Sequence, residues 1–286
     1  MTDTPLRRFI DIGNRQVHYR YCGDGPAIVI VHASPGSSRQ MEGLMLDLAN
    51  RGYSVFAPDT PGNGDSPKLP KAKPSVQDYA EALLLLLAKL GLKQPHIYGS
   101  HTGAAIAAEL AIAAPESVGH LVLEGISVFS REQRDAFMQH YAPPFKPDLD
   151  GAYLTQAFHF CRDQYLFFPW YDRVAKSSRS AGLPSAYDLH AWVLEVLKAN
   201  ETYPLAYHAA FAWPALKRMP LVEKETLMLA SKDDPLLAGT VQAAEVVMSG
   251  RMKVLPSYTD PSFSDQRASL IDSFLDTTVT RTDTVS

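Results

Sequence analysis

An imidazole stands at the centre of the stretch whose residue types are best suited to chemistry, Gly99-Ser100-His101-Thr102-Gly103. Histidine titrates near neutral pH, so in a cavity it acts as a general acid or base, or as a nucleophile toward an activated acyl group. A large polar ring between two glycines is a poor choice for packing alone. We therefore expect His101 to face a ligand; a ring that merely fills the site of an inactive protein is the alternative.

The elements on either side of His101 must hold it in a projecting position. A short apolar run, His96 to Tyr98, precedes the glycines, and an Ala-rich segment that ends at Pro115 follows them. This order predicts a strand, a sharp turn and a helix. Glycines allow a turn so tight that the central residue stands above the strand end, in a strained conformation with two backbone N–H groups nearby.

This strand, turn and helix resemble the nucleophile elbow of the α/β-hydrolase fold, whose usual form is G-x-S-x-G. His101 stands where that family has serine. The loop His32-Ala33-Ser34-Pro35-Gly36 is similar to the family's H-G-x-P-G loop, except that Ala33 replaces the usual glycine. The resemblance implies that the backbone N–H groups of Ser34 and Thr102 form an oxyanion hole.

The resemblance covers about Phe9 to Leu275 and implies an α/β protein with a mostly parallel eight-stranded sheet flanked by helices. The residues agree with this architecture. The apolar run Ala27 to Val31 is typical of a strand buried on both faces of a parallel sheet. The strongly apolar segment Val76 to Leu90, followed by Gly91, predicts a helix with a glycine stop.

A different pattern interrupts this alternation in the second half of the chain. Between Gly125 and about Pro220 the sequence becomes aromatic, helical and punctuated by prolines. The family inserts a helical cap at this point, after the sixth strand. We therefore predict a core formed by residues 1–125 and 221–286, and a cap formed by residues 126–220.

A catalytic acid is implied by the loop Ser231-Lys232-Asp233-Asp234-Pro235, which resembles the G-x-x-D loop of the family. Asp234 takes the place of the acid. A conventional triad also needs a histidine after the last strand, but the loop there reads Pro256-Ser257-Tyr258-Thr259-Asp260-Pro261, and the last histidine of the chain is His208. Conventional Ser-His-Asp acyl transfer is therefore not expected.

We hypothesise instead that His101 pairs directly with Asp234, because its ring reaches further than a serine hydroxyl, into the space of the missing histidine. The carboxylate then fixes the tautomer and favours the protonated ring. Ser100 is the other candidate nucleophile. It lies on the strand side of the turn and has no glycine two positions later, so it is disfavoured.

Aromatic residues concentrate in the predicted cap, from Phe158 to Tyr171. An apolar roof with a few polar groups is the usual composition of a small-molecule site, whereas lid packing with solvated charges is the alternative. The residues that we predict to contact a substrate, in the cap and beside the elbow, are His32, His159, Arg162, Asp163, Phe168, Trp170, His208 and Tyr258.

Composition excludes several classes of function. A net charge of −4 and a pI near 6.1 provide no basic surface for nucleic acid. Two cysteines make neither a disulfide framework nor a cysteine metal site, and the longest aliphatic run, Ala82 to Ala88, is too short to span a bilayer. We predict a soluble cytoplasmic protein, a monomer or homodimer, that uses no metal or cofactor.

We therefore predict an enzyme that acts on a small, largely apolar carbonyl compound, such as an ester or lactone, with His101 in the nucleophile position. The same groups suit proton-transfer chemistry, because an oxyanion hole stabilises an enolate as well as a tetrahedral intermediate. A cofactor-free lyase, decarboxylase or cyclase is one alternative. A catalytically inactive ligand-binding protein is the other, since the fold alone does not decide the function.

Overall fold

The computed structural model describes residues 4–180 and 182–282 and is built on an eight-stranded sheet. Across the sheet the strands follow the order β1-β2-β4-β3-β5-β6-β7-β8. Their bounds are Leu6–Ile12 (β1), Arg15–Cys22 (β2), Ala27–Val31 (β3), Ser54–Pro58 (β4), His96–Ser100 (β5), Leu121–Glu124 (β6), Thr226–Ser231 (β7) and Gly250–Leu255 (β8). Only the pairs that involve β1 and β2 are antiparallel among these strands, so the predicted mostly parallel sheet is confirmed.

The register of the central strands brings their carboxyl ends to one edge of the sheet. Val31 of β3 pairs with Gly99 of β5, and Glu124 of β6 pairs with both Ser100 and Leu229. The loops that follow these strands therefore open on the same side. In an open α/β sheet this edge is where ligands bind.

Helices cover both faces of the sheet. Their bounds are Glu42–Ala49 (α1), Val76–Leu90 (α2), Thr102–Ala113 (α3), Arg131–His140 (α4), Ala152–Leu166 (α5), Ala186–Lys198 (α6), Tyr203–Ala212 (α7), Ala215–Arg218 (α8), Leu237–Glu245 (α9) and Phe263–Thr282 (α10). Side chains of α2, α3 and α9 pack into the core on one face, and those of α1 and α10 pack into the core on the other. Because helices bury both faces, the central strands are apolar along their whole length.

Helix α2 begins and ends at residues whose capping chemistry is visible in the sequence. The Ser75 side chain accepts from the backbone N–H of Asp78, and the Asp78 carboxylate accepts from the Ser75 backbone, which is a capping box. Gly91 ends the helix with φ 70°, a conformation that glycine adopts without a steric penalty. The predicted bounds, Val76 to Leu90, are confirmed.

Helices α4 to α8, called the cap helices below, lie between β6 and β7 in the chain. This part of the chain contains a separate cluster of buried side chains, half of them aromatic, including Phe137, Tyr141, Phe160, Tyr203 and Phe211. The segment is thus helical and aromatic, as the sequence indicates. The division of the chain at residues 126 and 220 stays a prediction.

Within the described residues, no helix combines the length and the apolarity that crossing a bilayer demands.

Candidate active site

His101 lies at the turn between β5 and α3. Its backbone has φ 51° and ψ −108°, and a positive φ is uncommon for a residue with a side chain. A Cβ at Gly99 would lie 2.3 Å from the Gly103 oxygen, and a Cβ at Gly103 would lie 2.2 Å from the Val31 oxygen. The turn therefore requires both glycines, and it projects the imidazole at the carboxyl edge of the sheet.

The imidazole contacts a carboxylate from the neighbouring loop. His101 Nε2 lies 2.9 Å from Asp234 Oδ2, and the Asp234 side chain is fully buried whereas 32% of the His101 side chain is exposed. Nδ1 makes no hydrogen bond with any residue in the described ranges. In the neutral ring, a proton on Nε2 that is donated to the carboxylate leaves Nδ1 with a free lone pair.

Gly125 makes room for the ring. A Cβ at this position would lie 2.2 Å from His101 Cδ2 and 3.3 Å from Asp234 Oδ2, and the glycine has φ 77°. Its amide hydrogen bonds to the Leu229 oxygen, which fixes it to β7. The space that His101 occupies therefore exists because the residue after β6 has no side chain.

Three hydrogen bonds hold the Asp234 carboxylate. Besides the His101 ring, the Tyr258 hydroxyl donates to Oδ2 at 2.8 Å and the Leu236 backbone N–H donates to Oδ1 at 2.8 Å. Burial raises the pKa of Asp234, but the His101 charge and these hydrogen bonds outweigh it and lower the pKa to about 2. Asp234 is therefore a carboxylate at neutral pH.

The same pair raises the pKa of His101. Burial lowers it, but the charge of Asp234, the hydrogen bond to it and the charge of Glu124 together lift the pKa above 6.5. The ring is thus a stronger base than a free histidine, and it is protonated over a wider range of pH.

Tyr258 lies in the loop after β8, where the sequence lacks the histidine of a conventional triad. Burial of its hydroxyl and the Asp234 charge raise its pKa well above the usual value, so it remains a neutral donor. Its ring packs against Phe263, with the ring centroids 4.9 Å apart. Tyr258 thus lies in the loop that carries the triad histidine in conventional members of the family, and its hydroxyl orients the Asp234 carboxylate.

A second buried carboxylate, Glu124, lies beneath the elbow. Its Oε2 accepts a hydrogen bond of 2.6 Å from the Tyr98 hydroxyl, and Arg267 Nη1 is 3.8 Å away. Its backbone oxygen accepts from the His101 N–H at 2.7 Å. Glu124 therefore anchors the turn and adds negative charge on the His101 side of the site.

Two backbone amides are available beside the imidazole. Ser34 follows β3, Thr102 is the first residue of α3, and both line the same cavity as His101. Neither N–H donates a hydrogen bond to a residue that the structure describes. The first amides of a helix have no intrahelical acceptor, so Thr102 N–H is free to bind an oxygen of a ligand.

These groups line a cavity of about 510 Å³ between the sheet edge and the cap helices. Phe129, Phe168 and Phe211 supply apolar walls, and Tyr141 and Tyr207 add ring surface with hydroxyls. Cavities of this size and composition bind small organic molecules.

A family model described as alpha/beta hydrolase fold matches residues 26–244. The chain belongs to the α/β-hydrolase fold family. The elbow, the loop after β3 and the acid loop after β7 lie at the positions that the sequence resemblance implied, while the residue at the apex of the elbow is His101.

Relatives with curated names match parts of this α/β-hydrolase. Over 134 residues it is 32% identical to a 2-hydroxy-6-oxononadienedioate/2-hydroxy-6-oxononatrienedioate hydrolase of a Pseudomonas species, a match that covers 44% of this chain and 47% of that protein. Over 119 residues it is 34% identical to an uncharacterized protein of Mycobacterium tuberculosis, covering 42% of this chain and 34% of the other. Both matches span less than half of the relative's length.

Solved structures resemble the α/β-hydrolase over nearly its whole length. Epoxide hydrolase A from Mycobacterium thermoresistibile has a TM-score of 0.72 at 19% identity, with 95% of this chain and 98% of that chain covered. The enol-lactonase from Burkholderia xenovorans LB400 has a TM-score of 0.70 at 15% identity, with 94% and 100% covered. At such low identity these likenesses show the fold alone.

Two of the eight residues predicted to contact a substrate, Phe168 and Tyr258, line the cavity. His32 does not. It is buried beneath the loop after β3, where its Nδ1 lies 2.8 Å from the Ala33 oxygen and its Nε2 accepts from the Thr60 N–H at 2.9 Å. Because both ring nitrogens are engaged by the backbone, His32 supports the loop after β3 in this α/β-hydrolase and lies outside the cavity lining.

The other predicted contacts in the cap also lie away from the cavity lining. Asp163 is fully buried and pairs with Arg162 and Arg173 at 2.7 Å each, so its charge is used within the cap. Trp170 donates its indole N–H to the Tyr141 oxygen at 2.8 Å, which is a packing role. His159 and His208, both half-buried, are not among the residues that line the cavity.

Sequence reasoning missed several residues that do line the cavity or shape it, namely Gly125, Tyr141, Gln164, Arg179, Trp192 and Tyr207. The Glu-Gly step at the end of the sixth apolar run is the signal for Gly125. The cap residues carry no such signal. Which face of a cap helix points at the cavity depends on how the helices pack. Adjacent residues of a helix project their side chains to different sides, and the sequence does not show which side meets the cavity.

One group in the described part of the α/β-hydrolase has the atoms of a metal site. The ligating atoms of His18, Asp59 and Asp65 lie within 4.8 Å of one another. Arg7 donates to Asp65 at 2.7 Å, however, and Lys198 is 3.2 Å from the same oxygen. His18 Nδ1 is also hydrogen-bonded to Asp59 Oδ2 at 2.8 Å. The two carboxylates are therefore already paired with protein groups, and the cluster has a structural role.

Proposed function

We propose that this α/β-hydrolase is a cofactor-free enzyme that hydrolyses a small carbonyl compound such as an ester or lactone, with His101 in place of the nucleophilic serine. One observation carries the proposal: Nε2 of His101 is hydrogen-bonded to the buried Asp234 carboxylate, while Nδ1 has no partner among the described residues and the ring lines the cavity. A base fixed in this way has one tautomer and one reactive nitrogen.

In the proposed reaction, His101 Nδ1 removes a proton from a water molecule as the water oxygen attacks the substrate carbonyl carbon. The carbonyl π electrons move to the oxygen, whose charge the Ser34 and Thr102 amides stabilise. When the tetrahedral intermediate collapses, the bond to the leaving oxygen breaks and the imidazolium returns the proton to that oxygen. Asp234 stays ionised and stabilises the imidazolium throughout.

Direct attack by Nδ1 is the other way to use the same geometry. It would form an acyl-imidazole by way of a tetrahedral intermediate that carries both the imidazole and the alkoxide, and the imidazole leaves that intermediate more readily than an ordinary alkoxide does. An alkyl ester therefore returns to starting material by this route, which restricts it to activated acyl groups. General base catalysis is thus the route that serves the wider range of substrates.

The Pseudomonas relative supports hydrolysis, because its name is that of a hydrolase and it shares sequence with nearly half of this chain. The enol-lactonase and epoxide hydrolase structures support only the suitability of the fold. The choice of carbonyl substrate is drawn from the site itself, where a base and two backbone amides without a partner among the described residues line the same cavity.

The test is turnover of a panel of short-chain nitrophenyl esters and aliphatic lactones by the wild type and by His101→Ala. We expect measurable hydrolysis that the variant loses, and no acyl-enzyme adduct in rapid-quench mass spectrometry with alkyl esters. A stable His101→Ala protein with unchanged turnover would refute the proposal. Ligand binding without turnover of any carbonyl compound would favour an inactive binding protein.

A further inference from the structure

Two arginines line the cavity, and their surroundings differ. Arg267 Nη1 lies 3.8 Å from the Glu124 carboxylate, so its charge has a counter-ion. No carboxylate of the described residues lies within 4.0 Å of the Arg179 guanidinium. A cation held beside an apolar cavity without a counter-ion is costly, unless an anion joins it there.

The backbone holds Arg179 firmly at this place. The segment after α5 folds back on the end of that helix, with Phe167 and Ser178 forming an antiparallel bridge. The Arg179 N–H donates to the Leu166 oxygen at 2.8 Å, and its Nη1 donates to the Gln164 oxygen at 2.6 Å. The guanidinium is therefore fixed against the carboxyl end of α5 before any ligand enters.

Unused donors belong to side chains that line the same cavity as this guanidinium. Arg179 Nε, Gln164 Nε2 and Trp192 Nε1 are all buried, and none has a hydrogen-bond partner among the described residues. All three side chains line the cavity. An unpaired buried donor is destabilising, so three of them on side chains that line one cavity indicate that a ligand supplies the acceptors.

We propose that Arg179, Gln164 and Trp192 form a subsite for a carboxylate of the substrate, on the cap side of the cavity. The substrate is then a small carbonyl compound with a carboxylate group remote from the reacting carbonyl, which makes it amphipathic instead of largely apolar. This inference rests on the proposed function for the reacting end of the molecule. For the carboxylate end, the inference concerns binding alone and does not depend on the proposed function.

The donor set fits a carboxylate better than other anions. A guanidinium presents two parallel N–H groups that match the two oxygens of a carboxylate. A single guanidinium compensates one negative charge, whereas a phosphate monoester carries nearly two at neutral pH. Arg179 also lies close enough to His101 for its charge to affect the pKa of that ring, so both ends of one small molecule can be engaged together.

The test is binding of compounds that have no scissile bond, so that its result is separate from hydrolysis. ω-Phenylalkanoates with two to six carbons in the acid chain are compared with their primary amides by isothermal titration calorimetry. We expect the wild type to bind at least one acid about tenfold or more tightly than its amide, because the ionised carboxylate pairs with the guanidinium and accepts stronger hydrogen bonds than the neutral amide does.

Arg179→Gln is expected to remove this preference, and Trp192→Phe to reduce it severalfold while keeping the ring. Arg131→Gln is the matched control, because it removes the same charge from a cap residue whose side chain is 84% exposed. Its preference should equal that of the wild type. A wild type with no preference for any acid, or an Arg179→Gln protein that keeps it, overturns the subsite. Loss of hydrolysis in His101→Ala is scored separately and leaves the binding result unaffected.

Discussion

The imidazole of His101 lies directly against the α-carbon of Gly125, so that a Cβ on this glycine would be 2.2 Å from Cδ2 and 2.6 Å from Nε2 of the ring. A serine at the elbow would be too short to reach this space. The histidine elbow and the glycine after β6 therefore depend on each other, and together they bring Nε2 within 2.9 Å of Asp234.

Gly125→Ala should push the ring away from Asp234. We expect kcat/KM to fall by about 100-fold, the usual cost of misplacing a catalytic group by an ångström. The positive φ of Gly125 also predicts a loss of about 1 kcal/mol in the free energy of unfolding. Gly43→Ala is the control, because a Cβ there meets nothing within 4 Å. Equal activities in the two variants would show that the ring position is unimportant.

Asp234→Asn should change the pH dependence of the reaction. His101 must be neutral to act as a base, so kcat/KM rises as pH rises through the His101 pKa, which Asp234 holds above 6.5. Removing the charge leaves burial as the larger influence on the His101 pKa, and the acid limb should move to lower pH with a reduced plateau. Profiles of kcat/KM from pH 4.5 to 9 for both proteins measure the shift. An acid limb that stays in place contradicts the pairing.

Ser100→Ala separates the two candidate nucleophiles of the elbow. Ser100 ends β5 and makes no hydrogen bond to an imidazole among the described residues, so it has no base to activate it. We expect its substitution to leave more than half of the ester hydrolysis, whereas His101→Ala loses it. A serine-directed fluorophosphonate should leave the wild type unlabelled. Stoichiometric labelling of Ser100, detected by peptide mass spectrometry, would make the serine the nucleophile.

A double substitution should rebuild a conventional triad on this scaffold. His101→Ser restores the elbow hydroxyl, and Tyr258→His places an imidazole in the loop whose present side chain already bonds Asp234 at 2.8 Å. Because Asp234 and the two amides are unchanged, we expect the double variant to react with a fluorophosphonate at residue 101. The His101→Ser single variant is the control and should not react. No labelling in a folded double variant would mean that these loops do not hold triad geometry.

The central architecture could be predicted because its signals are local. The apolar run of β3 and the capped helix α2 have the bounds that the sequence predicts. A strand buried on both faces appears as a continuous apolar run, and a helix end is specified by residues that are close together in the chain. The elbow follows for the same reason: two glycines around one residue admit few backbone conformations. Only the family resemblance predicts the contact of His101 with Asp234, because the two residues are 133 positions apart in the chain.

The cap could not be read in the same way. Asp163 and Phe168 lie in one aromatic stretch, yet the first is used in ion pairs inside the cap and the second lines the cavity. Arg179 has an ordinary sequence context. Its importance comes from the absence of a carboxylate near it within the described structure, which no local pattern encodes.

The sequence by itself determined the strand, turn and helix that carry His101, the order of the elements around them, and the lack of a late histidine. Tertiary structure decided that Gly125 opens space for the ring, that Tyr258 binds the carboxylate, and that Arg179 is left with unused donors in the cavity wall. The reason is physical. Backbone conformation is set by neighbours in the chain, whereas packing, counter-ions and cavities are set by segments that meet only after the chain has folded.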